Sequence, residues 1–296
     1  MSILKLAIQK KGRLSEKSIE LINECAISFP NSTGKLVATC YNFPLEILFL
    51  RDDDIPDYVQ DGVADIGIVG ENVSVESNKN VDEILKMGFG RCRLSIAVPR
   101  SYNYTSIQDL NGKSIATSYP KILQDYLDKN NIKAEIHVIS GSVEIAPSIG
   151  LADAICDIVS TGSTLLSNGL KEVEQIFQSE AIIIGNKNLS PEKLNILDEF
   201  LFRLNAVKKA KKNKYILLNV PTENLDKVIQ ILPGIKSPTV LPLAKEGWSS
   251  LHSVIPEKDF LEDYTKIKRR RSRRYSSNAN RTNDRLILKS NSTCKL

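Results

Sequence analysis

Hydrophobic and polar positions alternate in blocks that switch between strand and helix spacing along most of the chain. LKLAI (4–8) is an apolar run of strand length, and GRLSEKSIELINECAI follows with Leu14, Ile19, Ile22 and Ala26 at helical spacing. Ser15, with Glu16 and Lys17 behind it, marks the expected helix start. PLEILFL then predicts a strand, RDDDIPDYVQDG a loop and short helix, and ADIGIVG a buried strand. The pattern continues as RLSIAVP (strand), NGKSIATS (turn and strand), PKILQDYLDKN (helix), AEIHVIS (strand), EIAPSIGLA (helix) and ICDIVS (strand). SEAIIIG adds one more strand, which suggests a crossing back between two lobes. Short strands alternating with helices predict an α/β architecture with parallel sheets.

Beyond LSPEKLNILDEFLFRLNAVKKAKKNK the character changes. YILLNVP and WSSLHSVI predict strands, while ENLDKVIQIL and EKDFLEDYTKIK predict helices. This β-α-β-α order suggests a small ferredoxin-like domain, which requires one more strand. The lysine-rich stretch 208–214 predicts a solvated helix end.

Composition narrows the classes without deciding among them. The 296 residues are 42% hydrophobic and 25% charged, an ordinary globular balance. No run of 18 apolar residues predicts a membrane span, and the start lacks a signal-peptide pattern, so a cytoplasmic location is expected. Five scattered cysteines predict reduced thiols, and two isolated histidines argue against a zinc site.

Charge changes the picture once it is divided. The formal net charge is +5, yet residues 266–296 hold 11 Lys/Arg against 1 acidic residue. The other residues hold 29 basic and 34 acidic groups. The basic character belongs to the run KIKRRRSRRYSSNANRTND and its surroundings, not to the folded body. A nucleic-acid binder usually carries its basic face on the fold.

Candidate chemistry lies at strand ends. In ICDIVSTGSTLLSNGL, the turn Thr161-Gly162-Ser163-Thr164 leads from a strand ending at Ser160 into a helix. Amides, hydroxyls and the helix dipole there suit a phosphate, though a merely capped helix start has the same pattern. Asp157 precedes the turn, within reach of a sugar's hydroxyls. Glu144 ends another turn, and Arg91 and Arg93 share one side of an extended segment. Lys10, Lys11 and Arg13 surround Gly12, Arg51 joins three carboxylates, and GEN closes a strand at residues 70–72. All lie where open α/β sheets bind ligands. Together they imply a phosphate-rich, polyanionic substrate accompanied by magnesium. Neither a P-loop nor a G-x-G-x-x-G is present, and no cysteine has a histidine neighbour in sequence, so positioning and charge stabilisation are the expected means of catalysis.

These residues carry a family resemblance. GSVEIAPSIGLADAICDIVSTGSTLLSNGLKEVE closely resembles ATP phosphoribosyltransferase, as do KKGRLSE, RDDDIPDYVQDGVADIGIVGENV, FGRCRLSIAVP and SIATSYPKILQDYL, in the family's order. LLPGIKSPTVLPLA and SLHSVI resemble its regulatory part, so the resemblance covers residues 4–268 and the family's long form. It implies two lobes of type II periplasmic-binding-protein fold and a C-terminal ferredoxin-like regulatory domain. The lobes are residues 1–92 with 180–206, and 93–179, which binds phosphoribosyl pyrophosphate. The regulatory domain is 207–268.

The implied reaction opens histidine biosynthesis: adenine N1 of ATP attacks C1 of phosphoribosyl pyrophosphate, and pyrophosphate leaves with Mg2+. The resemblance gives Ser160, Thr161, Gly162, Ser163 and Thr164 to the ribose 5-phosphate, and Asp157 and Glu144 to the ribose. Lys10, Arg13, Arg91 and Arg93 are expected to meet pyrophosphate or ATP phosphates, with Asp65, Glu71, Asn72 and Tyr119 around the nucleotide. Inhibition by histidine and assembly as a homo-oligomer, dimer or hexamer, are also implied, with Asn219, Ser237, Thr239 and Ser253 near the effector.

From Arg269 the sequence departs from the family, and the expectation is an aberrant, disordered tail (269–296) and a regulatory sheet whose last strand is missing or altered. Codons chosen for Tyr275 to Asp284 and read one nucleotide later encode Ile-Val-Val-Met-Pro-Ile-Glu-Gln-Met-Thr, so a frameshift near codons 268–269 is the hypothesis. Two rivals remain: a two-lobed binding module without chemistry, which a phosphoribosylation assay tests, and a nucleic-acid binder acting through the tail, which a filter-binding comparison with the tail removed tests.

Overall fold

A computed structural model describes residues 2–30, 36–232, 234, 237–256 and 287–289. The chain forms two compact units, Met1–Phe200 and Leu201–Leu296.

The first unit opens with strand β1 (Leu4–Gln9), helix α1 (Arg13–Glu24), β2 (Val37–Thr39), β3 (Leu45–Leu50), α2 (Ile55–Gln60), β4 (Ile66–Gly70), α3 (Glu71–Ser77) and β5 (Asp82–Lys86). A second set follows: β6 (Cys92–Pro99), β7 (Ser114–Thr117), α4 (Pro120–Lys129), β8 (Glu135–Val138), β9 (Ala154–Val159), α5 (Ser163–Ser167) and β10 (Leu170–Ser179). The chain then returns through β11 (Ala181–Gly185) and enters α6 (Pro191–Lys212).

These strands make two sheets, ordered β2-β3-β1-β4-β11-β5 and β10-β6-β9-β7-β8. In the first, β3, β1 and β4 run parallel and β11 returns antiparallel. In the second, β8, β7 and β9 run parallel and β6 enters antiparallel. Each sheet thus takes one antiparallel strand from a segment that has just crossed from the other. Two crossings side by side, tied by Met87 N–H to Ala181 O at 2.8 Å and Ala181 N–H to Phe89 O at 2.9 Å, are the connection of a type II periplasmic-binding-protein fold.

Burial explains the strand choices. β1 and β4 are covered on both faces, so Leu4, Leu6, Ala7, Ile8, Ile66, Ile68 and Val69 are all inaccessible and read as near-continuous apolar runs. Gly67 permits the close approach of α2: a Cβ there would lie 2.5 Å from Ile55 Cγ2. In the second sheet Leu94, Ile96, Ile115 and Cys156 pack with Ile122, Leu123 and Leu127 of α4.

Several expectations change. Helix α1 starts at Arg13, and Ser15 is buried within it instead of capping it; Ala26 lies beyond its end with φ 57°. EIAPSIGLA is not a helix: only a 3-10 turn, Val143–Ile145, forms, because Pro147 offers no N–H and Gly150 turns the chain at φ 75°. Strands β2, β5 and β10 carry mixed polar sequences and escape the apolar pattern.

The second unit contains β12 (Asn213–Pro221), α7 (Leu225–Ile231), β13 (Thr239–Pro242), β14 (Trp248–Pro256) and β15 (Ile287–Lys289). Its sheet order, β13-β14-β12-β15, is that of a ferredoxin-like domain. Ile216, Ile255 and Leu232 form its core. The expected last strand is therefore altered and not missing: three residues of the basic tail pair antiparallel with Tyr215–Leu217. An unstructured tail is corrected for residues 287–289, since their backbone joins an available strand edge. The predicted helix EKDFLEDYTKIK and the rest of the tail lie outside the described residues.

Candidate functional site

In the first unit, the predicted residues gather at the carboxyl ends of parallel strands. Lys10 and Arg13 follow β1, a 3-10 turn at Asp52–Asp54 follows β3, and Glu71 and Asn72 follow β4. Facing them from the second sheet, Tyr119 follows β7, Glu144 follows β8 and Ser160 follows β9. Ligands enter open α/β sheets at such ends.

Tyr119 joins the two sides. Thr117 Oγ1 accepts the Tyr119 amide at 2.9 Å and donates to Cys156 O at 2.7 Å, fixing the residue at the start of α4. The Asn72 side chain, from the other lobe, comes near enough to its phenol to favour the charged form. Ser179 Oγ in turn donates to Asn72 Oδ1 at 2.7 Å and accepts the Asn72 amide at 3.1 Å. Burial, then the charges of Asp157, Asp53 and Asp52, push the phenol's pKa up, so it stays protonated beside carboxylates from both lobes.

The carboxylates are shifted too. Desolvation raises Asp157, with a smaller push from Glu144, against the stabilising Ile158 N–H at 2.8 Å. Desolvation also raises Asp53, helped by Asp52 and Asp54 and opposed by Arg51. Such a crowded acidic centre favours partners that bring hydroxyl donors or cations. Among the described residues, no three His, Cys, Asp or Glu side chains converge as metal ligands. Carboxylates in ones and twos suit magnesium that arrives on substrate phosphates, because Mg2+ takes few protein ligands and keeps phosphate and water oxygens.

Beside this centre lies a cavity of about 540 Å³, bounded by Glu71, Lys86, Arg91, Arg93, Ser160 and Glu180 among others. Arg91 is exposed, with its Nε 3.9 Å from Glu180. Lys86 Nζ donates to Glu71 at 2.8 Å. Arg93 is engaged by Glu172 of β10, and its Nη1 reaches the Ser160 carbonyl at 3.4 Å. Lys10 and Arg13 are exposed and make no ion pair among the described residues.

The loop after β9 is exposed at Ser160, Thr161, Ser163 and Thr164, or nearly so. Gly162 adopts φ 82°, a left-handed conformation that turns the chain into α5, and Thr161 Oγ1 lies 3.0 Å from Ser163 Oγ.

Asp65 is not part of the site. It lies at the opposite end of β4 from Glu71, 3% exposed, where it accepts the Lys5 amide at 2.8 Å and pairs with Lys193 at 2.7 Å. A buried carboxylate with those partners ties α6 to the sheet. Sequence reasoning passed over Lys86, Ser179 and Glu172. The last two sit on β10, a strand whose polar sequence gave no signal, and only its pairing with β6 brings them to the site.

In the second unit, Ser237, Thr239 and Ser253 line a cavity of about 560 Å³ together with Tyr215, Leu241, His252 and Val254. Ser253 Oγ is buried and has no hydrogen-bond partner among the described residues. Asn219 does not line that cavity; it is exposed on β12, opposite Ser250 of β14. His252 Nδ1 lies 2.5 Å from Tyr215 Oη and its Nε2 lies 3.0 Å from Ser250 Oγ.

Comparisons with known proteins identify relatives of the chain. A family model described as ATP phosphoribosyltransferase matches residues 51–206, and one described as the HisG C-terminal domain matches 210–271. An ATP phosphoribosyltransferase of Cytophaga hutchinsonii is 64% identical over 267 residues, covering 90% of this chain and 93% of the relative. One of Phocaeicola vulgatus is 56% identical over 266 residues, covering 90% and 94%. Among solved structures, the ATP phosphoribosyl transferase (HisG:HisZ) complex from Thermotoga maritima is similar, with TM-score 0.61 and 30% identity over 70% of this chain and 99% of that one. No helix among the described residues is long and apolar enough to cross a membrane.

Proposed function

The chain belongs to the ATP phosphoribosyltransferase family, and on that premise we propose that it joins adenine N1 of ATP to C1 of phosphoribosyl pyrophosphate. As a family member it is a pentosyltransferase of the first step of histidine biosynthesis. In the proposed reaction the N1 lone pair forms the new bond to C1. The C1–O bond breaks with its electron pair leaving on pyrophosphate, so no protein nucleophile or base is needed.

The residues divide by charge. The hydroxyls and amides of Ser160 to Thr164 hold the ribose 5-phosphate, and Asp157 and Glu144 accept hydroxyl hydrogens of the ribose. As C1 loses its leaving group it becomes electron-poor, and the nearby carboxylates stabilise that charge. Arg91, with Lys10 and Arg13, offsets the negative charge on pyrophosphate and ATP phosphates, while magnesium enters bound to the substrate. Arg93 supports the phosphate loop from behind through Ser160. Glu71, Asn72 and Tyr119 bound the adenine side of the cleft. The observation that carries the reading is the meeting of Tyr119 and Asp157 from one lobe with Asn72 and Asp53 from the other.

We also assign histidine as the regulatory ligand of the second unit, taken into the cavity bearing Ser237, Thr239 and the unpartnered Ser253 Oγ. Homo-oligomer formation belongs to the same proposal. The test is incubation with ATP, phosphoribosyl pyrophosphate and Mg2+, following product with and without histidine. Product that depends on all three supports the reading; its absence rejects it, and indifference to histidine rejects the regulatory part alone.

A further inference from the structure

Helix α4 begins with Pro120, which has no N–H, so the unpaired amides of its first turn are Lys121 and Ile122. The next amide, Leu123, already bonds Tyr119 O at 3.1 Å. No side chain of α4's own lobe caps this end; Tyr119 occupies the capping position without a side-chain bond to the turn. Both free amides instead donate to Glu76 of α3, in the opposite lobe: Lys121 N–H to Oε1 at 2.8 Å and Ile122 N–H to Oε2 at 3.0 Å. Each carboxylate oxygen takes one amide, and the negative group sits on the positive end of the helix dipole.

Asn72 lies four residues before Glu76 on the same helix, hence on the same face. Its side chain comes near the Tyr119 phenol. One face of α3 therefore grips the backbone of the first turn of α4 through Glu76 and brings Asn72 near Tyr119, the residue that precedes that turn. The contact spans 45 residues of sequence and the whole gap between the lobes.

We propose that Glu76 is a positioning residue, an inter-lobe clasp that holds the cleft closed and sets Tyr119 against the acidic centre. Its kinetic consequence rests on the phosphoribosyl-transfer reading. Without the clasp the closed arrangement is less populated, and substrates must supply the closure themselves, which raises KM for both.

The test compares full-length wild type with Glu76→Ala and Glu76→Gln. Gln keeps the shape and one acceptor but turns an N–H toward the second amide, and it serves if the Ala variant folds poorly. Hydrogen exchange at Lys121 and Ile122, measured without substrate, should quicken about tenfold in E76A, the equivalent of ~1.4 kcal/mol, and by less in E76Q. Initial rates should show KM for ATP and for phosphoribosyl pyrophosphate rising about tenfold in E76A, with kcat changed less than threefold. Unchanged exchange overturns the clasp. Faster exchange with unchanged KM values overturns the positioning role and leaves Glu76 as a helix cap. A wild type that makes no product rejects the function itself, and the exchange measurement separates that failure because it needs no substrate.

Discussion

Arg93 of β6 and Glu172 of β10 are joined by two parallel charged hydrogen bonds, Nε to Oε1 at 2.5 Å and Nη2 to Oε2 at 2.6 Å. Ser95 Oγ donates to the same Oε1 at 2.8 Å, so Glu172 is itself held in place. The pair lowers the Glu172 pKa and raises that of Arg93, keeping both charged. Only Nη1 is left to point at the Ser160 carbonyl. Arg93 thus braces the start of the proposed phosphate loop. Lysine cannot reproduce a fork of this kind. Arg93→Lys should raise KM for phosphoribosyl pyrophosphate about tenfold, ~1.4 kcal/mol, with KM for ATP little changed. Steady-state kinetics that show equal rises for both substrates would count against the brace.

Asp157 sits in a place where burial disfavours its charge. Its folded pKa lies above its ordinary value of 3.8. The folded protein therefore keeps the proton to higher pH than the unfolded chain, and stability falls as pH rises from 3.8 through the folded pKa. Above that window the full penalty is present. Asp157→Asn removes it and should raise the apparent Tm at pH 7 by about 2–4 °C, the shift that ~1 kcal/mol gives a unit of this size. The gain should shrink as pH falls toward 3.8, where Asp157 becomes neutral as well. Activity should drop by roughly a hundredfold, about 2.7 kcal/mol of transition-state stabilisation. Calorimetry across pH together with initial rates checks both halves; a destabilised, active variant would contradict them.

Gly162 sets the bend of the proposed phosphate loop at φ 82°. A Cβ there would meet Val159 Cγ1 only at 4.0 Å, so space is not the constraint. The backbone is: a left-handed conformation costs an ordinary residue about 1–2 kcal/mol, and asparagine less. Gly162→Ala should raise KM for phosphoribosyl pyrophosphate roughly tenfold, and Gly162→Asn should raise it less. Equal effects from both variants would point to the side chain and not the backbone.

Much of this arrangement is legible in the sequence because parallel strands buried on both faces are written as apolar runs, and their ends as polar turns. LKLAI, ADIGIVG and ICDIVS became β1, β4 and β9, and the turns and helix starts after them carry Arg13, Asn72 and Ser160. The polar strand β10 is illegible by the same rule, and with it Glu172 and Ser179. Asp65 misled because DIGIVGE places a carboxylate at each end, and sequence adjacency does not say which end faces the cleft. The clasp was out of reach altogether, since Glu76 finds its partners 45 residues away on backbone atoms.

The tail supplies the final test, because charge and topology describe it differently. Residues 266–296 are strongly basic, and the C-terminal family match ends at residue 271, so nothing in the composition requires this segment to join a fold. Yet Ile287–Lys289 take the one position that completes the β13-β14-β12-β15 order, pairing with β12 at Tyr215, Ile216 and Leu217. Tyr215 also lines the cavity assigned to histidine, which makes β12 the link between tail and effector. Ending the chain after Leu286 removes the strand and leaves the β12 edge unpaired, with its backbone donors and acceptors exposed. Product formation without histidine should stay within twofold of wild type, because every proposed substrate contact lies before residue 200. Histidine should inhibit at least tenfold less effectively, about 1.4 kcal/mol. Titrating histidine into the full-length and shortened enzymes measures this directly. Unaltered inhibition would show that the effector cavity does not depend on β15.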